Sequence, residues 1–521
     1  MFRLLCVLVF AALGFVFVKN TLHMFQQNRY EFYRYTKWLF NKKNLHFSPI
    51  LIYVILMILL TLILKGFAYK VLVILISAVF AAWMIYRESR KEYIKDLVLT
   101  MRVKRQIVFF AVLYLLCIYL LSKWLEEKLG LVGIIAVYLP YLLMYVVAVL
   151  TLPLENYIKQ SYENEARDIL NSMNSLIRIG ITGSFGKTTT KNIVKDIIGD
   201  SYYTLMTPAS YNTPMGITRT VREYLKPIHE VFVCEMGADH VGEISYLMNF
   251  VKPKYGILTA IGPQHLNTFH SLDNIIREKF EVIERLPYDG VGIINVDNEY
   301  IRNYHIRNNC RIVTVGIENQ NADLVAKDIK YSKEGSSFTV TINGEDHRFS
   351  TVLLGQHNIM NLLTAIALAL ELGISPQKLE ESVAQVKRVE HRLELKKING
   401  HTFIDNAFNS NPVGCKLSLD VLKMMDGKRV IVTPGLIDLG DKEDEYNREF
   451  GAYMKDRADL VILVGEKQTK AIVEGLQQSG YDMENVLVMK NVKEAFAYIY
   501  SHLSSEDTIL LENDLPDAFS V

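Results

Sequence analysis

The chain has 521 residues and a net charge of +1, from 57 Lys and Arg against 56 Asp and Glu, so it carries no overall basic field of the kind that binds nucleic acid. Its length allows about three or four domains with sizeable cores. Half of its residues are hydrophobic, and they concentrate before about residue 155; the remainder reads as an ordinary soluble α/β sequence.

Taken in chain order, apolar segments run over 4–18, 49–64, 71–86, 107–122 and 131–154. Most fall a little short of the ~20 residues that cross a bilayer upright. Tyr69, Trp83, Tyr86 and Trp124 at their ends extend them into the interface. The first segment has no small-residue cleavage site and runs into Lys19, which favours an uncleaved helix over a signal peptide. Lys19, Arg29, Arg34, Lys37, Lys42 and Lys43 follow the first segment, and Arg87, Arg90, Lys91, Lys95, Arg102, Lys104 and Arg105 follow the third. The connections at 65–70 and 123–130 hold only Lys65, Lys70, Lys123 and Lys128. Basic loops stay in the cytosol, so five spans place the N-terminus outside and everything after Tyr157 inside. No apolar run carries an ionisable residue at its centre, as a transport path would need. The segments therefore read as an anchor in the lipid bilayer, with lipid-substrate binding as the sharper alternative.

Residues 158–175 read as a linker helix. Beyond them, strand-like runs at 177–182, 231–235, 255–260, 292–296, 402–405, 430–433, 460–464, 486–488 and 508–511 alternate with helical stretches such as 191–198 and 359–371. That alternation predicts parallel sheets with helices on both faces. The expected organisation is multidomain: an α-helical transmembrane region over 1–157, an α/β P-loop ATPase domain over 176–388 and a Rossmann-like α/β domain over 389–521. The five cysteines, Cys6, Cys117, Cys234, Cys310 and Cys415, form no CxxC pair and suggest neither a disulfide framework nor a zinc site.

Gly180-Ile181-Thr182-Gly183-Ser184-Phe185-Gly186-Lys187-Thr188-Thr189-Thr190 follows an apolar strand and opens a helix. Glycines let backbone N–H groups approach phosphate oxygens, the helix N-terminus adds positive potential, and Lys187 reaches the terminal phosphates of ATP. The Thr188 hydroxyl is placed to ligate Mg²⁺. A strict P-loop needs Gly at 181, where this chain has Ile, so the loop is a variant. Glu235 closes an apolar strand at the edge where parallel sheets bind ligands, and its carboxylate suits a hard cation.

The variant loop resembles the GITG-x-x-GKTTT loop of the Mur ligases, ATP-dependent enzymes that add amino acids to peptidoglycan precursors. Further segments follow in that family's order: Thr207-Pro208-Ala209-Ser210-Tyr211-Asn212-Thr213, then Glu235-Met236-Gly237-Ala238-Asp239-His240-Val241-Gly242-Glu243-Ile244, which is similar to the MurF branch. After them come His265, Lys279, Asn295-Val296-Asp297-Asn298, Gly355-Gln356-His357-Asn358, His391-Arg392-Leu393-Glu394 and Asp405-Asn406-Ala407-Phe408-Asn409-Ser410-Asn411-Pro412.

The resemblance implies an ADP-forming carboxylate–amine ligase working through an acyl phosphate, with ATP and Mg²⁺ as cofactors. Lys187, Glu235, His265 and Lys279 would be catalytic, and Thr188, Glu235, His265 and Lys279 would hold metal. Lys279 would act as a carbamate, formed from CO₂ and a neutral amine. Gly183, Ser184, Gly186, Lys187, Thr188, Thr189, Asn295, Arg392 and Asp405 would contact the nucleotide. Asn212, Thr213, His357, Asn358, Asn409 and Asn411 would line the substrate. Membrane helices stand where Mur ligases have their UDP-binding domain, which points to a membrane-linked envelope precursor as carboxylate substrate and an amino acid or peptide as amine donor. Acidic Asp514 and Asp517 stand where MurF-like chains have K-G-S-R, which suggests a different amine donor, cationic or with a free amine. A poly-γ-glutamate-type polymer synthetase and a P-loop ATPase driving envelope assembly are the competing functions.

Overall fold

The computed structural model describes residues 2–40, 48–91, 93, 96–407, 410–437 and 439–513. They divide into one compact unit ending at Gln160 and another beginning at Ser161.

The first unit is helical: α1 (Phe2–Gln27), α2 (Phe32–Leu39), α3 (Ser48–Ile63), α4 (Gly66–Ser89), α5 (Met101–Trp124) and α6 (Leu129–Ser172), whose last residues belong to the second unit. Among the described residues four helices are long and apolar enough to cross a membrane, and α3 is a shorter apolar one. Its 16 residues span about 24 Å, somewhat less than the ~30 Å hydrocarbon layer. The helix ends sort into two layers. Arg3 at the start of α1 pairs with Glu126 (2.7 Å), and Lys70 near the start of α4 pairs with Glu127 (2.8 Å). At the opposite end the Gln26 amide bonds both the N–H and the carbonyl of Val98 (2.9 and 2.8 Å), Lys19 meets Glu88 (3.2 Å) and Arg105 meets Glu155 (2.7 Å). Helices α3 and α4 run antiparallel, since Tyr53 bonds Ser77 and Thr61 bonds Tyr69. Among the described residues, the basic stretches after α1 and after α4 therefore share one end. The last apolar segment and the polar stretch after it are a single 44-residue helix with Pro140 and Pro153 inside it; no break separates them.

The second unit holds two sheets. The first has nine strands in the order β2-β3-β1-β4-β5-β6-β7-β8-β9. They are β1 (Ile177–Thr182), β2 (Thr204–Met206), β3 (Val231–Glu235), β4 (Tyr255–Leu258), β5 (Val291–Asn295), β6 (Arg311–Gly316), β7 (Leu324–Ser332), β8 (Gly335–Ile342) and β9 (Glu345–Thr351). From β2 to β7 every pairing is parallel, whereas β7-β8-β9 is an antiparallel meander. The expected parallel sheet is present from β2 to β7, and the meander extends it into a mixed one. Asn343 and Gly344, both at positive φ (52° and 87°), form the two-residue turn between β8 and β9, a conformation that favours hairpins over crossovers.

The helices of this sheet are α7 (Lys187–Ile198), α8 (Pro214–Tyr224), α9 (Glu243–Val251), α10 (Leu266–Phe269), α11 (Leu272–Glu284), α12 (Glu299–Arg302), α13 (Gln356–Glu371) and α14 (Pro376–Ala384). Strand β3 shows why both faces are covered: Val231 and Val233 pack with Ile193 and Ile197 of α7, while Phe232 and Cys234 pack with α8, α9 and α11. Each fully buried side chain of this kind contributes about 1.5–3 kcal/mol.

The second sheet has six strands, β10 (Glu394–Ile398), β11 (His401–Asn406), β12 (Arg429–Thr433), β13 (Leu460–Val464), β14 (Val486–Met489) and β15 (Thr508–Glu512), in the order β10-β11-β15-β12-β13-β14. Only β10 is antiparallel to its neighbour. Helices α15 (Pro412–Lys423), α16 (Glu443–Tyr453) and α17 (Lys470–Ser479) cover one face and α18 (Val492–His502) the other.

Candidate active site

Strand β1 lies between β3 and β4, where the strand order reverses direction, and such a switch point opens a crevice at the carboxyl edge of a parallel sheet. The phosphate loop leaves β1 there. Gly183 has φ 153° and a Cβ on it would stand 2.1 Å from Thr259 Oγ1; Gly186, at φ 84°, is the left-handed residue that starts α7. Ser184 is fixed by its N–H to Ala260 O (2.7 Å) and its hydroxyl to Gly262 O (2.9 Å). Thr259 clamps the loop from the β4 side through hydrogen bonds to Thr182 O and Phe185 O. Thr189 is buried on the first turn of α7, and Thr190 bonds Asn361 (3.1 Å).

Glu235 is 1% exposed at the end of β3. Its Oε1 accepts from the Thr188 hydroxyl (3.1 Å) and the Asn212 amide (3.0 Å), while Lys191 Nζ stands 2.9 Å from Oε2. Burial alone would raise the Glu235 carboxyl, but Lys191 and Lys187 outweigh it and hold the group below the usual carboxylate range. Lys191, which sequence reading passed over as a helical residue, is also buried and donates to Ala209 O (2.6 Å). Its signal was its place one turn after Lys187, on the helix that faces Glu235.

Lys187 curls back onto its own loop, donating to Gly183 O (2.7 Å) and Ser184 O (3.1 Å). Burial pushes its ammonium down to about 8, against the pull of Glu235 and with Arg392 adding to the fall. Lys279 on α11 is 2% exposed and donates to Ala238 O (3.2 Å). Burial first, then the charge of Lys187, lowers it to about 7, opposed by Glu278, Glu243 and Asp239. Glu278, also missed, takes the N–H groups of Gly242 (2.7 Å) and Ile244 (2.6 Å) and so fixes the start of α9. His265, at φ 52°, begins α10 on the loop that leaves β4.

Arg392, from the segment that enters the second sheet, lies within electrostatic reach of Glu235 and Glu512, and its burial lowers its pKa. Asp405 accepts from Lys396 (2.8 Å), His391 (2.8 Å) and Ala407 N (3.2 Å), and these partners overcome its burial to keep it ionised.

Other expected contacts have structural duties. Asn295 bonds Thr259 O (3.1 Å) and Asp297 N (3.0 Å), tying the β4 and β5 ends together. Thr213 and Asn411 are the N-caps of α8 and α15. His357 Nδ1 and Asn358 Oδ1 are buried without a hydrogen-bonding partner, and burial drops His357 to about 4. Asn409, Asp514 and Asp517 lie outside the described residues.

The donor set fits a nucleotide with a hard cation. The glycine loop and the start of α7 leave β1 at this edge, and beside them the Thr188 hydroxyl and Glu235 carboxylate lie within 3.1 Å of each other.

Comparison with known proteins agrees. Residues 181–369 match the Mur ligase middle domain and residues 391–512 the Mur ligase glutamate ligase domain. The UDP-N-acetylmuramoyl-tripeptide–D-alanyl-D-alanine ligase of Bacillus subtilis is 31% identical over 338 residues, 64% of this chain and 72% of the relative. The chain belongs to the Mur ligase family. The ligase is also 29% identical to the Escherichia coli enzyme of the same name, over 56% of this chain and 65% of that one. It superposes on the crystal structure of MurF from Acinetobacter baumannii with a TM-score of 0.61 and 25% identity, covering 68% of this chain and 77% of that one. As a MurF-like Mur ligase it is an ATP-dependent, ADP-forming amide-bond ligase.

Proposed function

We propose that this ligase is anchored in the cytoplasmic membrane and joins a carboxylate on a membrane-linked cell-envelope precursor to the amine of an amino acid or peptide. The observation that carries the reading is the buried Glu235 carboxylate shared by Thr188 of the phosphate loop and Asn212 of the neighbouring loop, in a chain with four helices long and apolar enough to span a bilayer.

A carboxylate is a poor electrophile. In the proposed sequence its oxygen attacks the γ-phosphorus of ATP, the bond to ADP breaks, and an acyl phosphate forms. The amine nitrogen then attacks the carbonyl carbon, phosphate leaves with the C–O electrons, and the amine proton passes to solvent. Mg²⁺, held by Thr188, Glu235, His265 and a carbamylated Lys279, would neutralise charge on the phosphate oxygens. Lys187 needs only to uncurl from the carbonyls of Gly183 and Ser184 to meet a phosphate, a stronger partner for an ammonium than a neutral carbonyl. Arg392 adds a second cation from the C-terminal side. Asn212 keeps the substrate loop in register with Glu235. The low pKa of Lys279 supports the carbamate, because CO₂ reacts only with a neutral amine.

The test incubates the detergent-solubilised protein with ATP, an amine panel and either lipid-linked or soluble UDP-linked acceptors. Joined product is scored by mass and ADP by release. A lipid-linked product that vanishes in Lys187→Ala is expected; equal use of a soluble UDP-linked precursor would overturn the membrane-substrate reading.

A further inference from the structure

The loop over 207–213, between β2 and α8, is fastened to the Glu235 site near both ends and in its middle. Near its start, the Glu235 N–H donates to Thr207 Oγ1 (3.1 Å). Near its end, the Asn212 amide donates to Glu235 Oε1 (3.0 Å) and Asn212 O accepts from the Gly237 N–H (2.8 Å). A Cβ on Gly237 would stand 2.8 Å from the Asn212 side chain, so this glycine lets the loop lie so close.

The middle is held differently. Ala209 has φ 41°, a left-handed conformation that costs an alanine free energy. Its carbonyl accepts from Lys191 Nζ at 2.6 Å. Lys191 is 1% exposed and lies one turn after Lys187 on α7. Its ammonium also stands 2.9 Å from Glu235 Oε2, yet that oxygen is buried and accepts no hydrogen bond. The ammonium therefore gives its hydrogen to the loop and only its charge to the carboxylate. Glu235 meets the phosphate loop through Thr188 on its other oxygen, so one carboxylate faces both the nucleotide side and the 207–213 side.

We propose that Lys191 is a positioning residue that ties the order of the 207–213 loop to occupancy of the phosphate and metal site. Lys191 is drawn at present toward both Oε2 and the Ala209 carbonyl. A metal cation beside Glu235 offsets the first attraction, and the ammonium is then held by the carbonyl alone, which fastens the left-handed turn. The coupling is reciprocal: whatever orders the loop strengthens binding at the phosphate site by the same factor. The inference rests on the reading of Glu235 as a metal ligand and of this loop as part of the carboxylate-substrate site.

Hydrogen exchange of the full-length protein in detergent tests it. The probe is the non-hydrolysable ATP analogue with an NH bridge between its β- and γ-phosphates, added with Mg²⁺ or with a chelator. Amides in 207–213 should exchange at least about fivefold more slowly with Mg²⁺ and the analogue than in the free protein, and not with the analogue and chelator. Lys191→Met should lose this slowing while still binding the analogue by calorimetry. Ala209→Pro provides a variant that keeps the buried pair of charges: proline cannot adopt φ 41°, so the same loss is expected with a melting temperature close to that of the parent. Absence of Mg²⁺-dependent binding by the parent would overturn the metal reading and this inference with it. Normal Mg²⁺-dependent binding with exchange at 207–213 unchanged, or slowing retained in Ala209→Pro, would overturn the role of Lys191 alone.

Discussion

At the residue scale, Lys279 has the clearest pH signature. Its ammonium is lowered to about 7 by burial and by Lys187, so the neutral amine that CO₂ requires prevails only above that pH. Ligase activity of protein prepared without CO₂ should therefore recover on adding bicarbonate, readily above about pH 7 and progressively less below it. The same shift acts on stability. Between about 7 and the ordinary value of 10.5 the unfolded chain binds more protons than the folded one, so unfolding free energy rises with pH across that window. Lys279→Met should flatten this rise and lift the melting temperature of CO₂-free protein at neutral pH, while abolishing ligation. Lys191 and Glu235 make the opposite case, two buried charges 2.9 Å apart. Lys191→Met leaves the carboxylate short of its nearest cation and should cost about 3–5 kcal/mol, and adding Glu235→Gln should restore much of that stability but not activity. Thermal melts of the two single variants and the double variant close the cycle.

At the scale of elements, the phosphate loop was legible because glycine, lysine and threonine at fixed spacing after an apolar strand leave few other conformations, and the structure has Gly183 and Gly186 at positive φ as that loop requires. The β7-β8-β9 meander was overlooked because the alternation in β9, with His347, Phe349 and Thr351 buried and their neighbours exposed, is short and polar. Asn343-Gly344 was its clearest sign. The contacts of Asn295, Thr213 and Asn411 within the fold were equally hidden, since a cap or a strand tie depends on partners distant in sequence. Glu278 shows how much such a tie carries. It accepts two N–H groups at the start of α9 and is adjacent to Lys279. Glu278→Ala should cost about 1.5–3 kcal/mol and loosen residues 238–244. The expected readouts are a lower melting temperature, faster amide exchange confined to that segment, and a raised KM for the carboxylate substrate with ATP affinity little changed.

At the scale of the whole chain, the charge asymmetry of the loops and the layering of the helix ends bear on the same question, which side of the membrane each loop occupies. Helix α3 decides the parity. It is the shortest apolar helix, and the Tyr53–Ser77 and Thr61–Tyr69 bonds hold it antiparallel against α4, so under the proposed membrane anchoring it would cross with its neighbour. Under that proposal five crossings would put the Arg3–Glu126 end outside and the Val98 end, with the ligase sequence after Tyr157, in the cytosol. Cysteines introduced singly at Lys65 and Lys128 should react with a membrane-impermeant maleimide in intact spheroplasts, whereas one at Arg90 should react only after permeabilisation. The native Cys6, Cys234, Cys310 and Cys415 are buried and Cys117 is half-buried in the helix bundle, so the background should be low. Labelling of Arg90 and Lys128 positions from the same side would show that α5 does not cross, and labelling at Lys65 only after permeabilisation would reverse the orientation and remove the ligase from its ATP.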